Sequence, residues 1–585
     1  MKSPALFRRS DLTAMLWVFR REFLMVGLFS AVANLLMLTP TIYMLQIFDR
    51  VLVSYSEMTM LAVSLICLFL VGIMAMAEWT RSRLLVRAGV RLDELLGTRI
   101  FNASFQASLD SSGATPARAF GDLIQVRQFI TGQGIFAFFD APWAPIYIAV
   151  IFLLHPLLGW MALAFALVQA ALAWFGHRHT VAPAEAAAKA QSDETIYLQS
   201  KLRNTEVLEA MGMADNLRRR WGSLHGQYLA RNGTAQALNN KVMAVSKFIR
   251  YTQQSLALGA GALLVIDGQL SVGGMIATNV LMTRALAPID QMVGNWRSFL
   301  SARAAFKRLE VLLQGFPVRH PAPTGVAPSG GLSLSGVSAG VASREQPILK
   351  NISFDIPAGT VVAVLGPSGS GKSTLARVMM GIWPAVQGEV LLDGLPLADW
   401  NRAELGPHLG YLPQDVELFE GSIGENIARF GAMDSQKVIE AARRAGLHDM
   451  ILRFPKGYDT PIGEAGSMLS GGQSQRIGLA RAVYGDPKLV VLDEPNANLD
   501  DAGEAALMHT VAQLKARGCT VFLITHRTDA VGAADWLLIL NNGELVANGP
   551  QSAVLAALQR QHAAAQPRKP EAPSAPLSPI SPQPV

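Results

Sequence analysis

The chain has 585 residues, 50% of them apolar and only 16% charged, with a mean hydropathy of +0.28. That balance argues against an all-soluble enzyme and fits about two to four domains, part of them in a membrane. The formal charge of +6 is carried by scattered Lys and Arg, not the clustered stripe of a nucleic-acid binder.

The N-terminal tail, residues 1–20, carries Arg8, Arg9 and Arg20, with Arg21 beyond it, and then an apolar run with no small-residue cleavage site. This reads as a retained anchor. Apolar stretches follow at 22–44, 57–78, 135–155, 157–177, 248–267 and 271–294, each near the ~20 residues that cross ~30 Å of hydrocarbon as a helix. The pattern predicts six spans within 21–312. Arg250, Arg284, Asp267 and Asp290 lie in or beside the last two. Charges there are costly, and the expectation for Arg284 and Asp290 is divided between a transport path and structural ion pairs. Cys67 and Cys519 sit in apolar surroundings and read as inert packing residues.

Connections after the odd-numbered spans are short. Those after spans two and four, 79–134 and 178–247, are long, polar and helix-compatible. Basic residues such as Arg81, Arg83, Arg87, Arg91, Arg218, Arg219 and Arg220 concentrate there. The positive-inside rule then places these connections, both termini and everything C-terminal in the cytoplasm.

Residues 313–330 form a Pro/Gly-rich linker. From 331 to 562 short apolar strands alternate with helices: Leu332–Leu334, Ile352–Ile356, Val361–Leu365, Val390–Leu392, Leu489–Leu492, Thr520–Ile524 and Trp536–Leu540. That is α/β architecture. The Pro-rich tail 563–585 cannot bury a core and reads as disordered.

Strand Val361–Leu365 runs into Gly366, Pro367, Ser368, Gly369, Ser370, Gly371, Lys372, Ser373 and Thr374. This is a phosphate-binding loop: the glycines let backbone N–H groups curl around a phosphate, Lys372 adds a point charge, and the Ser373 hydroxyl ligates Mg²⁺. The helix behind it turns its positive end to the anion. Leu489–Leu492 ends in Asp493 and Glu494. Alone, two acids after a strand read as a solvated turn; downstream of a phosphate loop, Asp493 reads as a Mg²⁺ ligand through water and Glu494 as general base. Ser470, Gly471, Gly472 and Gln473 open a further helix about twenty residues earlier. Read alone they are an N-cap; read together with the other two elements they offer a second helix N-terminus to a γ-phosphate.

With these three elements in place, the chain resembles the ATP-binding-cassette family from about residue 10 to 560. The resemblance implies an α-helical six-span transmembrane domain followed by an α/β P-loop NTPase. It implies that Gln414 senses Mg²⁺, that Asn496–Asp500 crosses a dimer interface, and that His526 is a switch near the γ-phosphate. It implies a homodimer in which two ATP are held between head-to-tail motors, with short helices near 116–127 and 204–214 transmitting closure. The family stacks adenine on an aromatic about thirty residues before the loop lysine. Here Gly336–Ser343 has none, and Val341 stands near that place. Losing such a platform weakens adenine contact by about 1–3 kcal/mol, so modest ATP affinity and weak base discrimination are expected.

In the membrane half, Phe138–Tyr147 (FFDAPWAPIY) reads locally as a helix start, with Asp140 as cap, Pro142 in the first turn, and Trp143 and Tyr147 as interface anchors. The same stretch, with Pro40–Leu52 and Asn204–Met213, resembles the type I protein secretion exporters of the branch lacking an N-terminal peptidase-like domain. That resemblance implies an unfolded polypeptide substrate with an uncleaved C-terminal signal, often of the Gly-rich calcium-binding-repeat kind. It also implies a periplasmic membrane-fusion adaptor and an outer-membrane channel as partners. A lipid or drug exporter shares every motor residue and is the alternative. A soluble chromosome- or repair-type ATPase would need coiled-coil arms where this chain has apolar spans.

Overall fold

The computed structural model describes residues 17–109, 117–202, 205–317, 325–340, 346–463, 469–526 and 529–565. The chain divides into two compact units, with the boundary of the main segments at Pro317/Val318. Each is taken by itself.

The first unit is helical: α1 (Arg20–Leu36), α2 (Thr39–Gln46), α3 (Glu57–Leu109), α4 (Ala117–Thr131), α5 (Gln133–Asp140), α6 (Ala144–Leu154), α7 (Pro156–Leu202), α8 (Thr205–Ala210), α9 (Ala214–Ile266) and α10 (Val272–Gly315). The long polar connections are continuations of the spans. At 1.5 Å per residue a 53-residue helix such as α3 is about 80 Å long, far more than ~30 Å of hydrocarbon. Among the described residues five helical runs are long and apolar enough to cross a membrane: Arg20–Ser54, Glu57–Leu109, Gly134–Leu154, Pro156–Leu202 and Val272–Gly315. The expected fifth span lies at the end of α9, which does not reach that standard because Arg250, Gln253 and Gln254 interrupt its apolar stretch.

Buried polar groups tie the helices together. Arg81 of α3 meets Asp140 at 3.0 Å, and the Asn34 amide of α1 donates to the same carboxylate oxygen at 2.7 Å. Tyr147 is 2% exposed and its hydroxyl donates to the Asn34 carbonyl oxygen at 2.8 Å. The readings of Asp140 as a helix cap and Tyr147 as an interface anchor are therefore corrected. Asp140 makes no capping bond, because partners distant in sequence claim its carboxylate and the buried phenol needs an acceptor. Pro142 does stand in the first turn of a short 3₁₀ segment. Asp290 pairs with Arg250 at 3.3 Å and accepts from Ser246 at 2.7 Å and from Gln169, which is the ion-paired reading. Arg284 is exposed, with its guanidinium 3.8 Å from the Met37 sulfur. At the other end of the bundle, Asp49 accepts from Ser271 Oγ at 2.5 Å and from the Gly273 N–H at 2.8 Å, closing the start of α10.

The second unit is α/β. Its strands are β1 (Leu332–Ala339), β2 (Leu349–Ile356), β3 (Val361–Leu365), β4 (Gln387–Leu392), β5 (Leu395–Pro396), β6 (Leu409–Leu412), β7 (Gly421–Ser422), β8 (Pro461–Ile462), β9 (Leu489–Asp493), β10 (Thr520–Ile524), β11 (Trp536–Asn541) and β12 (Glu544–Pro550). Its main helices are α11 (Lys372–Met379), α12 (Ile423–Ile427), α13 (Ser435–Arg444), α14 (Gly471–Ala482), α15 (Asp501–Ala516) and α16 (Gln551–Ala565). One sheet runs β2-β1-β4-β5 and is antiparallel. The larger runs β12-β11-β3-β10-β9-β6, parallel except for β12 at its edge. Strands β3, β9 and β10 are almost wholly apolar because both faces are buried, one against helices and the other against α11 and the antiparallel sheet. Cys519 sits at the foot of β10, and burial pushes its thiol up to about 12; Cys67 is half-buried, and neither forms a disulfide.

Candidate nucleotide site

In open parallel sheets, ligands sit beyond the carboxyl ends of the strands. Here that edge carries, strand by strand, the phosphate loop after β3, His526 just after β10, Asp493 and Glu494 at the end of β9, and Gln414 just after β6. Residues spread over 160 positions of sequence are thus brought to one edge by strand order alone (526 − 366 = 160).

The loop needs glycine. Gly366 has φ +158, and a Cβ there would run into the Leu540 carbonyl oxygen and the Ser370 hydroxyl. Lys372 is 5% exposed and its ammonium donates to the Gly366 and Pro367 carbonyl oxygens, both at 2.9 Å. Burial lowers its pKa, while Glu494 and Asp493 work in the opposite direction. A phosphate supplies the same kind of oxygen acceptors, so the ammonium is poised on the loop rather than tied to a distant partner. Ser368, Gly369 (φ +79), Ser370, Gly371 (φ +100), Ser373 and Thr374 complete the turn into α11.

Asp493 is 2% exposed. Burial raises its pKa, opposed by the Ser373 hydroxyl, with Glu494 adding to the rise. One of its oxygens, Oδ1, is buried with no hydrogen-bond partner among the described residues. A buried, unsatisfied carboxylate oxygen beside a serine hydroxyl is the donor set a hard divalent cation requires. Ser373 and Asp493 therefore fit Mg²⁺, and Gln414, whose amide nitrogen donates to Glu494, stands on the same edge of the sheet.

Glu494 takes a left-handed backbone, φ +49, costing of order 1–2 kcal/mol for a residue with a Cβ. Its N–H donates to the Ile524 carbonyl oxygen at 3.0 Å, so the turn is tied to β10. Its two carboxylate oxygens are each held: Oε1 lies 2.8 Å from His526 Nε2, and Oε2 accepts from the Gln414 amide at 3.2 Å. Held this way, the carboxylate has one orientation, as a group that must polarise a water requires.

Ser470 caps α14, its hydroxyl accepting from the Gln473 N–H at 3.3 Å while the Gln473 side chain accepts from the Ser470 N–H at 2.9 Å. Among the described residues these bonds stay within the turn and do not reach the phosphate loop. Asp500 caps α15 through the Gly503 N–H at 2.9 Å and pairs with Arg476. Two residues of the α14 helix escaped sequence reasoning, Gln475 and Arg476; their adjacency to Gln473 was the available signal. So did Asp393, whose carboxylate accepts from the Ser329 N–H and hydroxyl at 2.6 Å each, from Gly331 at 2.8 Å and from Gly330 at 3.3 Å, anchoring the chain where it enters β1. Val341, expected near the adenine, lies outside the described residues, as does Asn204.

Residues 349–497 match the family model described as ABC transporter, and residues 23–288 that described as ABC transporter transmembrane region. The chain is 42% identical to the type I secretion system ATP-binding protein PrsD of Rhizobium meliloti, over 94% of this chain and 95% of that one. It is 30% identical to the leukotoxin export ATP-binding protein LtxB of Aggregatibacter actinomycetemcomitans, over 91% of this chain and 76% of the relative. Among solved structures, a bacterial Atm1-family ABC exporter with ATP bound superposes with a TM-score of 0.80 at 22% identity, covering 94% of this chain and 99% of the other. That likeness establishes the fold.

Proposed function

The chain belongs to the ATP-binding-cassette exporters, in the branch of the type I secretion ATP-binding proteins, and from that premise we propose that it drives an unfolded polypeptide with a C-terminal signal out of the cytoplasm. It is a multi-pass membrane protein and an ATP-hydrolysing transporter. The observation that supports the secretion reading is the 42% overall identity to PrsD in a match that covers 94% of this chain and so includes both halves.

The proposed cycle rests on this chain's own groups. Lys372 and the Gly366–Gly371 backbone hold the β- and γ-phosphates. Ser373, Asp493 and Gln414 would hold Mg²⁺, which would supply positive charge to the phosphates. Glu494, fixed by Gln414 and His526, orients the attacking water and accepts its proton, and the His526 ring lies on the γ-phosphate side. Two copies pair head to tail, so that Ser470–Gln473 of one copy closes on the Lys372 loop of the other, with Asp500 at the seam. The cassette and both termini face the cytoplasm of a bacterial inner membrane. A periplasmic adaptor and an outer-membrane channel carry the cargo onward.

The test is to express the chain with its adaptor and channel and compare the culture medium of wild type and Lys372→Ala. The reading requires a polypeptide that disappears from the medium in the variant. An unchanged set of medium proteins, with altered export of a lipid or small hydrophobic molecule instead, would overturn it.

A further inference from the structure

Gln475 lies on α14 two residues beyond Gln473 and is 2% exposed. Its amide donates away from its own helix, to the carbonyl oxygen of Glu494 at 3.4 Å and that of Pro495 at 3.3 Å. The next residue, Arg476, reaches Asp500 Oδ1 at 2.9 Å. Between these two ties, the Asn498 backbone is pressed so closely on Gly472 that a Cβ there would meet the Asn498 oxygen at 2.7 Å. Segment 494–500 is therefore fastened to α14 at its start and end and packed closely on it in the middle.

The first fastening falls on the strained residue. A non-glycine residue in the left-handed region persists only where its surroundings over-determine it. Glu494 has its N–H fixed by Ile524 and its carbonyl oxygen fixed by Gln475. Those two bonds set which way the carboxylate leaves the backbone, toward Gln414 and His526.

In the paired arrangement, one rigid body then serves two nucleotide sites. The Ser470–Gln473 turn of α14 closes on the partner copy's triphosphate, while Glu494, carried by the same helix through Gln475, acts on the triphosphate of its own copy. We propose that Gln475 is a positioning residue that couples the two sites, so that docking at one aligns the general base at the other. The inference rests on the paired-motor reading above.

The experiment uses the full-length transporter in detergent or nanodiscs, with steady-state ATPase measured across an ATP titration. Gln475→Met keeps the side chain's length and removes the donor. The expected result is a fall in kcat of at least about tenfold, half-saturating ATP within about threefold of wild type, and a Hill coefficient falling from near two toward one. Gln475→Glu keeps the shape but turns an acceptor toward two carbonyls, and is expected to be impaired at least as much. Binding of a fluorescent ATP analogue and the apparent Tm are measured on both variants. Wild-type kcat and cooperativity in either variant overturn the proposal, as does loss of nucleotide binding along with turnover, which would mark a residue that only supports the fold. A wild-type protein that turns over at full rate as a monomer overturns the paired-motor reading itself, and this coupling with it.

Discussion

Glu494 Oε1 lies 2.8 Å from His526 Nε2, and the other oxygen of the same carboxylate accepts from Gln414 at 3.2 Å. A general base clamped on both sides loses most of its effect when its charge is removed, because the geometry survives but the proton acceptor does not. Glu494→Gln is predicted to bind ATP like wild type and to lower kcat by about 10²–10⁴-fold, the usual range for positioned acid–base groups. Steady-state ATPase alongside nucleotide binding checks this; wild-type turnover would remove Glu494 from the role.

Asp493 gives a pH prediction. Burial raises its pKa above the ordinary carboxylate value, and a cation ligand must be deprotonated. The protonated form is favoured in the fold, so the ionised carboxylate costs stability above the unfolded-state pKa, and a bound cation offsets that cost. As pH falls through the raised pKa, Mg²⁺ is predicted to be lost earlier than from an unperturbed aspartate. Measured Mg²⁺ dependence of ATP affinity should weaken with falling pH more in wild type than in Asp493→Asn, a comparison that cancels the pH dependence of ATP itself. The same pH dependence in both proteins would contradict the assignment.

The Arg81–Asp140 pair offers a double-mutant test. Both side chains are buried, and Arg81 also reaches Ser30 at 3.1 Å and lies 4.5 Å from the Phe136 ring. Breaking a buried pair by removing one partner costs about 3–5 kcal/mol because a charge is left uncompensated. Arg81→Leu and Asp140→Leu are each predicted to lower the thermal midpoint of the detergent-solubilised protein, and the double substitution to recover much of the loss. Two single losses that simply add would show that the residues act independently.

Cys519 should be chemically silent. Its thiol is 2% exposed and pushed up to about 12, so the reactive thiolate is scarce at neutral pH. Iodoacetamide at pH 8, read by mass spectrometry of the Cys519 peptide, is predicted to label denatured protein at least tenfold faster than native protein, on the order expected for a buried thiol. Equal rates would contradict its place beneath β10.

The bounds of β3 and β10 match the expected Val361–Leu365 and Thr520–Ile524 residue for residue, because strands covered on both faces are apolar throughout. Strand β6 escaped notice because Leu409–Leu412 is four residues long and follows a Gly-Pro-His turn, and β12 because an edge strand with polar, Gly and Pro residues has no apolar run. Yet β6 is what carries Gln414 to Glu494. Local reasoning about Asp140 found a cap because Asp and Pro sit together in sequence. It could not foresee Arg81, 59 residues away, whose guanidinium claims the carboxylate once the helices pack. The same limit hid Gln475: its place beside Gln473 marks the helix, but not that this side chain turns outward to grip a strained turn.

The central claim is that two copies grip ATP jointly. The most direct measurement is the oligomeric state of the purified transporter, followed by mass photometry during ATP turnover. The account predicts that hydrolysis tracks the dimer and that Glu494→Gln accumulates it in the presence of Mg²⁺ and ATP. A stable monomer hydrolysing ATP at the full wild-type rate would contradict it.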